Sequence, residues 1–238
     1  SMLRVAGVGL GGETTVGGAL YWLDCRALEG GRQAIVHRDA HGTIADVTPE
    51  GFNSRSRVHE YGGGSYAVKE GVLISCSFED QRVYRIADGR ATPITPEPKA
   101  PAGDRYADFA FGEGFLVAVR ERHRDEGEPI NDLVRIPLDG MSDPEQVASG
   151  HDFFASPRIS PDGITLAYLT WDHPNMPWNG TTLWKVEVGG TPAWVAGGPR
   201  ESIFQPEWSP DGVLYFASDR TGWWNLYRQA ADGIEPVF

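Results

Sequence analysis

Apolar residues in this chain fall in short alternating runs, each about five to eight residues long, as half-buried β-strands require. The runs come in pairs separated by polar segments. "GALYWLDCR" is followed by "RQAIVHRD", "GVLISCSFED" by "QRVYRIAD", and "GFLVAVRER" by "NDLVRIPLD". "TLAYLTWD" is followed by "TTLWKVEV", and "VLYFASD" by "WNLYRQA". Five equivalent strand starts, Leu20, Leu73, Phe115, Leu166 and Val213, are 53, 42, 51 and 47 residues apart. Two Ser-Pro-Asp-Gly turns begin at Ser160 and Ser209, 49 residues apart. In such a turn Pro presets its own φ, Asp tolerates the turn geometry and Gly supplies a positive φ.

A period in the forties with several short strands per unit is the pattern of a β-propeller. The expected fold is all-β: four-stranded antiparallel blades, about five of them in the chain. The second-to-third strand loops of successive blades would then emerge on one rim, opposite the Ser-Pro-Asp-Gly turns. They are Phe78–Gln81, Arg120–Asn131, Trp171–Gly180 and Ser218–Trp224. Trp171, Trp184 and Trp208 read as packing between blades, because aromatics bring large buried area and suit strands.

The segments "RVHEYGGGSYAV", "RYADFAF", "SGHDFFASPRISPDG", "LTWDHPNMPWNGTTLW" and "SDRTGWWNLY" resemble the N-terminal β-propeller of bacterial prolyl oligopeptidase-family serine peptidases. The dipeptidyl-peptidase and acylaminoacyl-peptidase branch is the nearest, and the resemblance covers essentially the whole chain. It implies a seven- or eight-bladed ring followed by an α/β-hydrolase domain with a Ser-Asp-His triad. The nucleophile of such a triad sits in a G-x-S-x-G elbow. The chain has no such motif; its nearest approach, around Ser65, ends in Ala67. Residues 1–238 are therefore expected to be a partial propeller without its catalytic domain. The implied function is a non-catalytic gate that admits short peptides to a triad elsewhere, with no catalytic residue and no cofactor in this chain. Its partners would be the hydrolase domain, short peptides and, through open blade ends, a second copy of the chain. Two other readings compete: a stand-alone TolB-like propeller for protein binding, and a five-bladed glycosidase-like enzyme using carboxylates such as Glu60, Asp108 and Glu207.

Candidate residues for substrate access or domain contact follow from the loops. His59, Glu60 and Tyr61 precede a three-glycine run and would line the channel, where a Glu suits a peptide's amino terminus; a structural His59–Glu60 hydrogen bond is the other reading. Arg120 and His123 stand in a charged loop that steers substrate or is simply solvated. Asp172, His173 and Trp178 stand in a loop stiffened by two prolines, and Trp224 remains for an interface. Asp219 and Arg220 are expected to pair under Trp223 or Trp224.

The formal charge of −12 argues against nucleic acid, whose phosphates need a basic surface. No apolar run reaches membrane-spanning length. Cys25 and Cys76 lack metal-ligand spacing, and Asp172 with His173 lacks a third ligand, so no metal is expected. Two unpaired cysteines and no visible signal peptide suit a reducing cytoplasm. The opening Ser1-Met2 resembles an expression remnant, and Asn179-Gly180-Thr181 is read as a chance match to a glycosylation acceptor.

Overall fold

A computed structural model describes residues 19–187 and 190–237. The opening dipeptide lies outside them. Strands dominate, and each sheet is a simple meander. The first described sheet contains β1 (Leu20–Arg26), β2 (Arg32–Arg38) and β3 (Ile44–Asp46). The second contains β4 (Tyr66–Lys69), β5 (Val72–Cys76), β6 (Val83–Ala87) and β7 (Arg90–Pro93). The third contains β8 (Asp104–Phe111), β9 (Phe115–Arg122), β10 (Ile130–Pro137) and β11 (Glu145–Ala148). The fourth contains β12 (Phe153–Ile159), β13 (Thr165–Trp171), β14 (Thr182–Glu187) and β15 (Ala193–Gly197). The fifth contains β16 (Ile203–Trp208), β17 (Leu214–Ser218), β18 (Asn225–Ala230) and β19 (Gly233–Pro236). This is the β-propeller class that the period indicates: four sheets have four strands and the first has three described strands.

The chain divides into two compact units. One comprises residues up to Pro129 with Arg135–Glu145; the other comprises Ile130–Val134 and Gln146–Phe238. In the first, Ile35, Tyr66, Val68, Leu73 and Ile86 form a buried cluster flanked by Tyr21, Leu23 and Phe52. In the second, Leu169, Leu183 and Ala196 pack with Ile203, Leu214, Phe216 and Tyr227. Several of the strands that supply these residues are buried on both faces, β5 and β13 among them.

Both Ser-Pro-Asp-Gly turns join a first strand to a second, as expected. Gly163 and Gly212 take φ of 76° and 81° there. Asp162 accepts the N–H of Ile164 at 3.0 Å, and Ser160 N–H bonds to Thr165 O at 2.8 Å, which closes the turn on itself.

The first strands of the last three sheets, β8, β12 and β16, each slip register once. A non-glycine residue takes positive φ at each slip: Asp108 at 55°, Ser156 at 51° and Gln205 at 49°. Such left-handed positions are strained for side-chain-bearing residues and concentrate where a bulge re-aims the chain.

One loop differs from expectation. β9 runs through Arg122, so Arg120 and Glu121 belong to the strand and are buried at 9% and 3% exposure. The loop begins only at His123, because β9 is buried on both faces from Leu116 to Glu121, past the first charges.

Candidate functional site

The first unit gathers a charged cluster around the three-glycine run. Gly63 and Gly64 lie flat against Asp108: a Cβ added at Gly63 would stand 2.9 Å from the Ala107 Cβ, and one at Gly64 3.0 Å from Asp108 Oδ1. Gly64 N–H donates to Asp108 Oδ1 at 2.6 Å, and Asp108 N–H donates back to Gly64 O at 2.8 Å. The glycines are thus needed for a close approach of two segments.

Ahead of them, His59 and Glu60 take consecutive positive φ values of 54° and 65°. Two adjacent left-handed non-glycine residues are costly, and such strain collects where a chain must display a side chain. The side chain displayed is Glu60, 79% exposed. Arg105 Nη1 donates to Glu60 Oε1 at 2.6 Å, to Glu121 Oε1 at 3.2 Å and to Arg57 O at 2.9 Å. The second carboxylate is the opposite of exposed. Buried Glu121 also accepts the His59 N–H at 2.7 Å and lies 2.7 Å from His123 Nε2. Tyr61 is 65% exposed, its hydroxyl 3.4 Å from His59 Nδ1. His59, Glu60, Tyr61 and His123 are therefore brought together, but not as a His59–Glu60 pair. Glu60 bonds to Arg105, and His59 contributes its backbone N–H to Glu121.

The Arg105 hydrogen bond, then its charge, holds the Glu60 carboxyl below its usual range, with lesser help from His123 and Arg57. Two carboxylates share the one Arg105 guanidinium, and Arg57 adds a more distant positive charge. Ligand atoms of Glu60, Glu121 and His123 lie within 4.8 Å of one another and could hold a cation. Arg105 already occupies that role. Ser65, nearest to a nucleophile motif, is 4% exposed and bonds to Ser54, with no base against it.

In the second unit Asp172 and His173 each engage a residue of the β12 approach. Asp172 takes His151 Nδ1 at 2.8 Å and the Asp152 N–H at 2.7 Å. Asp152 takes both the N–H and Nδ1 of His173 at 2.9 Å. These bonds, the backbone one first, hold the Asp152 carboxyl below its usual range. Farther along the loop, Ser202 Oγ donates to Pro177 O at 2.5 Å and Asn175 Nδ2 to Pro199 O at 3.2 Å. The loop is fastened at both ends, and Trp178 projects from it at 65% exposure.

The Asp219–Arg220 pair does not form. Arg220 grips Glu201 at 2.8 Å and lies 4.7 Å over the Tyr227 ring, while Asp219 accepts the Ser202 N–H at 2.8 Å. Trp223 and Trp224 do not cover it; they are 80% and 53% exposed, and Trp224 meets Phe204 edge-on at 6.3 Å.

Arg105, His151 and Asp152 escaped the sequence reading, which placed Glu121 in the charged Arg120–Asn131 loop. The β8–β9 hairpin register contained a signal: Arg105 stands directly opposite Glu121 across the two strands.

No family model and no curated protein matches the sequence. Solved structures do. A puromycin-hydrolyzing peptidase of Mycobacterium tuberculosis is 33% identical with a TM-score of 0.87, over 99% of this chain and 40% of its own. A puromycin hydrolase complexed with PGG is 35% identical with a TM-score of 0.88, over 99% of this chain and 39% of its own. The chain thus spans about 40% of the length of these relatives. TolB of Acinetobacter baumannii, 16% identical with a TM-score of 0.53 over 90% of this chain and 49% of its own, shares the fold alone. With the five meanders in place and identity above 30% along nearly its whole length, the chain belongs to the N-terminal β-propellers of the prolyl oligopeptidase family of serine peptidases.

Proposed function

We propose that this chain is the substrate-access propeller of a serine peptidase acting on short peptides, and that Glu60 receives the peptide's free amino terminus. The observation that carries the reading is Glu60 itself: an exposed carboxylate on a strained backbone, oriented by Arg105, whose one guanidinium also serves the second carboxylate, Glu121, so that the Glu60 charge is only partly met. An ammonium satisfies that charge, and Oε2 is left to accept it. The propeller supplies no nucleophile; the triad would stand in an α/β-hydrolase domain of the same polypeptide. Trp178 and Trp224 suit contact with that domain, since exposed tryptophans on fastened loops resemble interface anchors. His173 and Asp172 act by fastening the loop. Arg120, buried in β9, is withdrawn from the contact surface.

The test uses the full-length peptidase with paired substrates, one with a free amine and one N-acetylated. Hydrogen bonds to charged groups contribute about 1.5–3 kcal/mol, so Glu60→Gln should raise KM for the free-amine substrate by roughly tenfold or more. KM for the acetylated substrate should stay unchanged. An equal effect on both substrates would refute the assignment.

A further inference from the structure

The first unit carries a second charged element that an amino terminus does not use. The guanidinium of Arg57 lies 4.2 Å from the centroid of the Phe78 ring, and that of Arg55 lies 5.0 Å from the same ring. Both distances fall within cation–π range. Among the described residues neither arginine has a carboxylate at ion-pair distance, although Asp and Glu number 33 in the chain against 21 Lys and Arg. Arg57 Nε is buried with no hydrogen-bond partner. A chain with acid to spare has left two cations on one aromatic ring without a direct ion pair among the described residues.

Their placement is built, not incidental. Gln81 is fully buried and sits at a φ of 61°. Its Oε1 accepts the Arg57 N–H at 2.7 Å; its Nε2 donates to Phe78 O at 3.1 Å and reaches Arg55 O at 3.4 Å. One amide therefore fixes the backbone of all three members of the stack. Arg55 and Ser56 line a cleft of about 340 Å³ together with Tyr61, Gly62 and Gly63, the residues that follow Glu60 in the chain.

We propose that Arg55 and Arg57, stacked on Phe78, form an anion site that takes a carboxylate of a short peptide. The carboxylate assignment rests on the peptide-access reading above. The anion site itself does not. Guanidinium forks match carboxylate and phosphate alike. Glu60 on the same segment and Glu79 beside Phe78 oppose a phosphate dianion more than a carboxylate monoanion. Glu60 and the arginine pair together would hold the two charged ends of a free peptide, which confines the substrate class to short zwitterionic peptides or peptides with an acidic side chain.

The probe is N-acetylglycylglycine, which has a carboxylate and no amine, added to the nitrogen-15-labelled chain while the arginine Nε–H signals are followed by NMR. Saturable shifts of the Arg55 and Arg57 signals are expected, and none with N-acetylglycylglycinamide. Losing both charge-assisted partners in R55Q/R57Q should weaken binding by at least about tenfold. R85Q, an exposed control on β6, should bind as before. Equal shifts with the amide-capped peptide would overturn the proposal, as would equal weakening in R85Q. Displacement by inorganic phosphate at lower concentration than the acetylated peptide would overturn the carboxylate assignment. The amino-terminus reading fails separately: in that case E60Q would leave binding of glycylglycinamide, an amine without a carboxylate, unweakened.

Discussion

Replacing Gln81 by Leu keeps the volume nearly constant and removes the amide that ties Arg55, Arg57 and Phe78 together. In the folded chain the Arg57 N–H loses its acceptor at 2.7 Å, and Phe78 O loses a donor at 3.1 Å. Arg55 O loses a contact at 3.4 Å that is too long to count for much. Ser77 O keeps the Gln81 backbone N–H at 2.9 Å, so it is not orphaned. Two part-buried polar groups are left without partners, in the lower part of the range of about 1–3 kcal/mol each. The φ of 61° treats Gln and Leu alike and drops out of the difference. The expected loss is about 3 kcal/mol, a large part of a domain stability of roughly 5–15 kcal/mol. With slopes of about 1–3 kcal/mol/M, the urea midpoint should fall by roughly 1–3 M with the slope unchanged. A shift under about 0.3 M would mean that water or backbone relaxation satisfies these groups, and would refute the view of Gln81 as a fixed internal brace.

Burial pushes the Cys76 thiol up to about 12, so a thiol reagent at pH 8 should label half-buried Cys25 and spare Cys76 until the chain unfolds, which mass spectrometry of the labelled peptides would show. The folded state favours neutral Cys76; its contribution to stability is full below the unfolded value near 8.5 and declines as pH rises toward 12. The Asp152 carboxyl has the opposite sign: its contribution is present above the unfolded value near 3.9 and is lost as pH falls through its lower folded value. Asp152→Asn should therefore be less stable than the parent chain at pH 6 by thermal melting, with the gap closing below about pH 4. Phe204 and Leu226 flank Ala217 across β16–β18 at 56% and 38% exposure. That apolar row should drive self-association of the chain, and light scattering should find Phe204→Asp with Leu226→Asp monomeric, whereas a parent chain that is already monomeric would refute it.

Much of the fold was legible because a propeller writes its period into the chain. The turn residues at Ser160 and Ser209 recur at fixed offset, and each reports a first-to-second strand junction that the structure places there. The buried strands were legible as short apolar runs, of which β9 and β13 are buried on both faces. Strand ends were less so: Arg120 and Glu121 are charged, yet they continue β9, because their tertiary partners outweigh the preference of charge for solvent. Nothing in the sequence separates such a buried charge from a loop charge until the β8–β9 register is known. Gln81 was invisible for a similar reason. Its importance lies in backbone groups of Arg55, Arg57 and Phe78, and those carry no residue identity.

The errors at the candidate sites share one physical cause. The sequence reading grouped charged neighbours, His59 with Glu60 and Asp219 with Arg220, and treated Asp172 with His173 as a unit. These residues stand in or beside turns, where each side chain meets whatever the fold brings next to it rather than its chain neighbour. The structure pairs each across a longer span: Glu60 with Arg105, 45 residues away; His173 with Asp152, 21 away; Arg220 with Glu201, 19 away. The spans of about 20 residues link the ends of neighbouring strands in one sheet, whereas the span of 45 is close to the blade repeat and ties one sheet's approach segment to the next sheet's first strand. A sequence reading that tested charged residues at those two offsets, rather than at adjacent positions, would have found the Glu60–Arg105 contact. It would still have missed the strain at His59 and Glu60, which only backbone geometry reveals; exposed Glu70 and Asp88 are left-handed too, and the Arg105 bond is what singles out Glu60 from them.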